Sequence, residues 1–405
     1  MVVTFASNYI NHHQLPFCRA MAGFGEDVEF HFIQVMPMEE KRLAMGWGVD
    51  VKEFPFVHEL YKDRETCERL IIESDVTIFG WTEGLIEDLE KKRLSSGRLS
   101  FRVSERIYRE GQWKVISPRG LKKKRAEHYA YRNLPVFLLC AGAYVASDFN
   151  LIRSYPGKML KWGYFPETNA ATDEDKCFGQ KTPPTITGRP IRICWAGRLI
   201  DLKHPEFAIK VADTLDKKGY DFSMEIIGDG RLSGTLSERV RKLSLGDKVT
   251  LTGGLKPARV LEHMSEADIF LFTSNYLEGW GAVVNEAMGC GCAVVASGEA
   301  GAVPFLIEHG FNGRIYENGD YRDFEKNVLY LFENNDKIAE YGKRAEESIK
   351  RLWNAQNAAS RFVDFCKGYL TEGKTIIPGE GPMSEAPILK PAGFGRTLQE
   401  RNVLE

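Results

Sequence analysis

The sequence predicts an α/β protein made of two Rossmann-like, doubly wound halves, and three observations carry that reading. Between residues 191 and 297, short apolar runs alternate with segments of helical length. The runs are continuously apolar rather than alternating, as strands of a parallel sheet covered on both faces are. The loops that follow them contain glycine, which lets a backbone approach a ligand closely.

Taken in order, IRICWAG (191–197) is the opening strand of the second half. HPEFAIKVADTLDKKG (204–219) spaces its apolar residues along one helical face and stops at Gly219. FSMEIIGDG (222–230) is a second strand running into glycines, and VTLTGG (249–254) a third. VLEHMSEA (260–267) reads as a helix and DIFLFTS (268–274) as a fourth strand. WGAVVNEAMGCG (280–291) reads as a helix ended by glycine, and AVVAS (293–297) as a fifth strand. In the first half VVTFAS, EFHFIQV, VTIFGW and VFLLC are the strand candidates. The polar run 166–190, rich in Thr and Pro, reads as a linker or surface loop. RLWNAQNAASRFVDFCKGYL (351–370) reads as an amphipathic helix, and the Pro/Gly-rich remainder as an extended or mobile tail. The predicted division is therefore a first domain over 1–165 and a second over 166–350 facing it across a cleft. A helix over 351–370 returns to the first domain, and a tail covers 371–405.

The 405 residues are 43% hydrophobic and 27% charged, an ordinary globular composition long enough for two domains. A net charge of −2 gives no overall bias toward nucleic acid. Eight cysteines, at 18, 67, 140, 177, 194, 290, 292 and 366, form no CxxC pair and no Cys/His cluster. Buried free thiols of a reducing cytosol are expected, and no metal site is. The opening MVVTFASN has no basic segment followed by a long apolar one. The longest apolar run, 134–146, contains Pro135 and is shorter than the roughly 20 residues of a bilayer span. A cytoplasmic protein is expected.

Ligands of open α/β sheets bind beyond the carboxyl ends of the strands, which selects the loops 197–203, 228–231, 253–256 and 275–281. The first runs from Gly197 through Arg198 to Lys203. A planar fork of donors and a compact positive charge together suit a diphosphate; taken alone they are two surface cations. In the last, LEGWG precedes a helix whose free amides favour an anion. A carboxylate there repels phosphate unless it faces something else, and sugar hydroxyls are good partners for carboxylates. Glu278 is thus expected to hold the hydroxyls of a sugar, and Glu286 those of a ribose. The phosphates would lie between them on the amides of Gly279, Trp280, Gly281 and Ala282. Either glutamate alone is an ordinary solvated helix residue; the spacing, glycines, helix start and remote cation pair set them apart.

This constellation resembles the retaining glycosyltransferases of the GT-B fold, family four, also called glycosyl transferases group 1. The resemblance runs from roughly residue 191 to 365 and is carried by GRLIDLK, IIGDG and ADIFLFTSNYLEGWGAVVNEAMGCGCAVVAS, with EHGFNGRIY and WNAQNAASRF beyond them. NYINHHQLPFC and LSFRVSERIYREG resemble the branch that builds bacterial surface polysaccharides. The resemblance implies transfer of a hexose from a UDP- or GDP-sugar, with retention at the anomeric carbon. It implies that Arg198 and Lys203 neutralise the departing diphosphate, Glu278 contacts the transferred sugar and Glu286 binds ribose. The loop of Gly228, Asp229 and Gly230 would lie by the nucleotide. These loops carry no Asp-x-Asp motif of the kind that holds a divalent ion with a sugar nucleotide, so neither metal nor other cofactor is expected. Many relatives carry a histidine near the end of a first-domain strand; VTIFGWTEG and FRVSER have none. His12 and His13 sit in the loop after the first strand, and no catalytic histidine is assigned.

Two other readings stand beside this one. A GT-B epimerase or phosphorylase would turn over a sugar nucleotide or sugar phosphate without a separate acceptor. A non-catalytic nucleotide-sugar-binding protein would keep the fold alone, against which the intact Arg198, Lys203, Glu278 and Glu286 argue. Residues 91–132 contain fourteen Lys/Arg against three Asp/Glu, densest at KKKR (122–125). The bias reads either as a solvated helix face or as a surface that meets anionic lipid, at about 1 kcal/mol per basic residue. The second would fit a lipid-linked acceptor. No aromatic platform accompanies the charge, so nucleic acid is not expected.

Overall fold

The continuously apolar runs are strands of two parallel sheets in a computed structural model, which describes residues 1–44, 48–167 and 188–391. The chain divides into two units. The first joins Met1–Glu167 to Leu352–Lys390, and the second is built from residues up to Arg351.

The first sheet is formed by β1 (Val2–Ser7), β2 (Glu29–Gln34), β3 (Val57–Glu59), β4 (Val76–Phe79), β5 (Ser100–Ser104), β6 (Val136–Ala141) and β7 (Met159–Trp162). Its order is β3-β2-β1-β4-β5-β6-β7, with parallel pairing throughout. The second sheet has β8 (Ile191–Ala196), β9 (Phe222–Ile227), β10 (Val249–Gly253), β11 (Ile269–Phe272), β12 (Ala293–Ser297) and β13 (Arg314–Tyr316). Its order is β10-β9-β8-β11-β12-β13, again parallel. In each sheet the order reverses beside the first strand, the switch point at which α/β sheets open a crevice for ligands. The second core is closed by the helix Glu206–Lys217, whose Phe207, Val211 and Leu215 are buried against Trp195, Ile226 and Phe324.

Four strands lie outside the apolar pattern. β3 and β13 have three residues each, too few to show a period. β5, SFRVS, carries a charge that its surroundings neutralise: Arg102 pairs with Glu90 at 2.8 Å and donates to the Glu127 carbonyl. β7 includes Lys161. The helix read over 280–291 is shorter, Val283–Gly289. Gly281 holds a left-handed φ of 89°, and an added Cβ there would sit 2.6 Å from the Phe272 ring, so helical geometry starts only after it.

The helix Ala355–Glu372 belongs to the first unit. Its Phe362 meets Phe17, Phe101 and Trp162 with ring centroids 4.8 to 6.3 Å apart. The Asn354 side chain caps it by accepting from the Asn357 amide at 2.8 Å. Asn354→Ala is expected to lower stability by about 1 kcal/mol, read as a shifted midpoint in urea unfolding with an unchanged slope. Beyond this helix, residues 374–390 form neither helix nor strand and turn at 381–384. The Met383 amide donates to the Lys161 carbonyl at 2.9 Å and the Ala386 amide to the Met159 carbonyl at 2.9 Å. The rest of the tail, 392–405, and most of the linker read over 166–190 lie outside the described residues.

Much of the basic excess over 91–132 has local partners. Lys91 pairs with Glu87, Arg106 with the buried Asp148, Arg109 with Glu105, Lys114 with Glu110 and Lys124 with Glu127. Arg93, fully buried, donates to the carbonyls of Ile72, Ser74, Asp75 and Leu99. Arg119 and Lys122 are exposed on the helix Pro118–His128, beside Ile116, which is 73% exposed. The seven described cysteines are all buried. Among the described residues no helix is long and apolar enough to cross a membrane.

Candidate active site

Because β10, β9, β8 and β11 are neighbours, the loops at their carboxyl ends are neighbours too. They are cross-linked by backbone bonds: Gly197 amide to Ile227 carbonyl at 3.0 Å, Leu199 amide to Asp229 carbonyl at 2.9 Å, and Gly228 amide to Gly253 carbonyl at 2.8 Å. The Asn275 amide donates to the Leu202 carbonyl at 2.8 Å. Trp195 anchors the other side: its Nε1 donates to Thr273 Oγ1 at 2.8 Å, and that hydroxyl donates to the Lys203 carbonyl at 2.6 Å. The position of Lys203 is thus fixed by two strands rather than by its own loop.

The glycines here are needed for close approach. Gly228 and Gly230 hold φ of 145° and 159°, and a Cβ on Gly228 would fall 1.8 Å from the Gly197 carbonyl oxygen. On Gly230 it would fall 2.5 Å from that of Leu199. Gly228→Ala must therefore push two backbones apart, and is expected to destabilise the protein by about 2–3 kcal/mol in chemical denaturation.

Lys203 Nζ forms an ion pair with Glu278 Oε2, and the two side chains are only 14% and 16% exposed. Arg198 lies exposed on the same loop as Lys203. Among the described residues no contact joins Arg198 or Glu286 to that pair. The amides of Gly279, Gly281 and Ala282 have no hydrogen-bond partner among the described residues, so they remain able to donate to an anion. Trp280 contributes only its backbone there: its indole is 1% exposed and donates to Asn285 Oδ1 at 2.8 Å. Asp229 is likewise turned to its own loop, accepting from the Gly230 amide at 2.7 Å and from Ser233 Oγ at 2.8 Å. These bonds, that of Ser233 foremost, hold its carboxyl below the usual range. Glu286, in the first turn of Val283–Gly289, is half-buried, and burial pushes its carboxyl up to about 7. No cation or donor meets that carboxylate among the described residues.

Two further polar residues, not singled out in the sequence, lie on these loops or on one bonded to them through the Ala302 amide and the Trp280 carbonyl at 2.9 Å. His204, in a left-handed conformation with φ of 45°, bonds Glu206 at 2.7 Å and the Asn275 amide group at 3.3 Å, joining the first loop to the last. Glu299, 5% exposed, follows β12 and accepts from Asn318 Nδ2 at 3.4 Å. A glutamate one residue after a glycine that closes a buried strand, as in SGEAG, was its signal. Among the described residues no group of three His, Cys, Asp or Glu side chains is placed to hold a metal ion.

In the first unit, loops at the carboxyl ends of β1, β4 and β7 bring rings together. His13 stacks on Tyr164 at 5.7 Å, and Trp81 lies 5.5 Å from the same ring. Burial, and then the neighbouring His12, pull His13 down to about 3, so it is neutral at physiological pH.

Residues 180–348 match the family model of glycosyl transferases group 1. N-acetyl-alpha-D-glucosaminyl L-malate synthase of Bacillus anthracis is 28% identical over 154 residues, 38% of this chain and 39% of its own. The amylovoran biosynthesis glycosyltransferase AmsK of Erwinia amylovora is 30% identical over 181 residues, 44% of each chain. The chain thus spans less than half the length of these curated relatives. Among solved structures, HepE of Anabaena in complex with UDP aligns with a TM-score of 0.67 at 15% identity, over 91% of this chain and 100% of that one. The pneumococcal O-GlcNAc transferase GtfA in complex with UDP and GlcNAc aligns with a TM-score of 0.63 at 10% identity, over 92% and 99%. The fold is therefore that of the GT-B glycosyltransferases, and residues 180–348 are similar to the glycosyl transferases group 1 domain.

Proposed function

We propose that the protein moves a hexose from a UDP- or GDP-sugar to a saccharide or lipid-linked acceptor, with retention and without a metal, in surface polysaccharide assembly. The observation that carries this reading is the Lys203–Glu278 pair at the carboxyl edge of the second sheet, with Arg198 exposed on the loop that delivers Lys203. The bond from the anomeric carbon to the diphosphate oxygen breaks, and its electron pair leaves with the diphosphate. The acceptor oxygen bonds to the same face of that carbon, and its proton passes to the leaving phosphate, so no protein base is required. Positive charge fixed in place before the bond breaks stabilises the diphosphate as its charge grows. Arg198, Lys203 and the free amides of Gly279, Gly281 and Ala282 fit that task; Glu278 and Glu286 fit the sugar and ribose hydroxyls. HepE, crystallised with UDP and glucose, and AmsK, named for amylovoran biosynthesis, support the donor class and the polysaccharide role. Arg119, Lys122 and the exposed Ile116 support peripheral contact with anionic lipid on the inner membrane face.

The test is a thermal-shift panel of UDP, GDP and their sugar conjugates on the full chain. A ligand at one hundred times its Kd stabilises the native state by about 2.7 kcal/mol. One nucleotide series is expected to raise the melting temperature, and Arg198→Ala to reduce that rise. A flat response to every nucleotide would refute the donor-site reading.

A further inference from the structure

We propose that the first unit carries a second ligand site, for a small sugar that bears an oxyanion, at the amino end of its sheet. A cavity of about 600 Å³ lies there, within the range of small-molecule sites. Arg132, in the segment before β6, lines it, and so does the turn at 150–157 that leads into β7. These loops precede their strands, so the cavity lies at the end of the sheet opposite to its carboxyl edge. The strap after the C-terminal helix walls it with Glu385 and Pro387, held in place by the Ala386 amide on the Met159 carbonyl at 2.9 Å.

Three features mark it as a built site. First, Arg132 and Arg153 both line the cavity, and neither has a carboxylate within ion-pair distance among the described residues. Arg132 is steadied instead by Tyr129, whose hydroxyl it meets at 2.9 Å and whose ring it covers at 4.8 Å. Second, Ser154 lines the cavity while only 2% exposed, and its hydroxyl has no hydrogen-bond partner among the described residues. A buried donor without a partner is unfavourable and calls for one. Third, the turn is held under strain. Arg153 and Tyr155, on either side of Ser154, take left-handed φ of 56° and 53°, a conformation disfavoured for residues with side chains. Tyr155 fixes that geometry: it is fully buried, and its hydroxyl is bonded to Arg102 at 3.1 Å and His128 at 3.0 Å. The backbone of Arg153 and Ser154 is thereby set before any ligand arrives, while the Arg153 side chain lies exposed at the cavity.

The chemistry names the ligand class. Two guanidinium forks suit a phosphate or a carboxylate. The Ser154 hydroxyl donates to the same group. Glu385 suits sugar hydroxyls, and its charge disfavours a bare multivalent anion. A sugar phosphate and a uronic acid share the required features. The site is independent of the transfer reaction, which is assigned to the second unit's loops.

Isothermal titration of the full chain with glucose 6-phosphate, glucuronate, glucose and inorganic phosphate tests this. At least one charged sugar is expected to bind and glucose is not. Arg153→Ala is expected to weaken that binding tenfold or more. Ser154→Ala should weaken it severalfold while leaving the unliganded melting temperature unchanged or higher. UDP or GDP stabilisation should persist in both variants, which separates this site from the donor site. Heats absent for both charged sugars, or unaltered in Arg153→Ala, would overturn the proposal. Inorganic phosphate binding as tightly as glucose 6-phosphate would overturn its sugar component.

Discussion

Lys203→Ala is expected to slow sugar transfer by about 10²–10³-fold, the usual loss when one pre-placed charge-stabilising donor is removed. Two effects combine at this position. The lysine's charge no longer meets the diphosphate as it departs. Glu278, only 16% exposed, also loses the cation that pairs with it, and a half-buried carboxylate without its partner is costly. Comparing the double variant Lys203→Ala/Glu278→Gln with Glu278→Gln separates the two, because both lack the sugar contact of Glu278. If the stranded carboxylate dominates, the two variants are equally fast. If leaving-group charge dominates, as proposed, the double variant is slower by about 10²–10³-fold. Arg198→Ala is expected to lose turnover to a similar degree at nearly unchanged stability, because Arg198 is exposed and joined to no carboxylate among the described residues. Single-turnover kinetics with the nucleotide sugar chosen by the thermal panel measure all four. Normal turnover by Arg198→Ala would remove the leaving-group argument.

Parts of this arrangement were legible in the sequence because the physics behind them is local. β11 and β12 are buried at every residue and show as apolar runs, while β8 and β9 are interrupted only by Arg192, Ser223 and Glu225, and each strand is closed by a polar or glycine-bearing turn. Gly228 and Gly230 read in the sequence as glycines that let the backbone approach a ligand, whereas what they approach in the structure is the backbone at 197 and 199. The rest depends on partners far along the chain. β5 hides because Arg102 sits in the strand and is neutralised from Glu90 and the Glu127 carbonyl. The Lys203–Glu278 pair joins residues 75 apart, and nothing in either segment announces which of Arg198 and Lys203 makes it. The side chains of Trp280 and Asp229 looked as available as their neighbours. The indole is drawn inward by Asn285, and the carboxylate is taken by the hydroxyl and amide of its own turn. In the loop of Trp280 the amides of Gly279, Gly281 and Ala282 are left to a ligand beside the Glu278 side chain, which suits a phosphate that binds amides.

Glu286 supplies a test whose sign is fixed by its burial. Its carboxyl is raised from 4.5 to about 7 by desolvation. Below pH 4.5 the group is neutral in both folded and unfolded chains, and the native state carries no penalty. Between 4.5 and 7 the native state holds a proton that the unfolded chain releases, so stability falls as pH rises through this window and levels off above it. At about 1.4 kcal/mol per pH unit, the fall is at most about 3 kcal/mol. Glu286→Gln stays neutral throughout, so it should lack this component and be the more stable protein at pH 8. Ligand binding should reverse that order. Ribose hydroxyls donate to a carboxylate but gain less from its protonated form, so a nucleotide selects the ionised glutamate and expels the proton. Affinity for UDP or GDP is then expected to rise tenfold or more from pH 5.5 to 8 in the unmodified protein, relative to Glu286→Gln. The variant serves as the control because the diphosphate titrates in the same range and contributes equally to both proteins. Calorimetric titration in buffers of different ionisation enthalpy would show the released proton in one protein and not in the other. Superimposable affinity profiles for the two would mean that Glu286 does not hold the ribose.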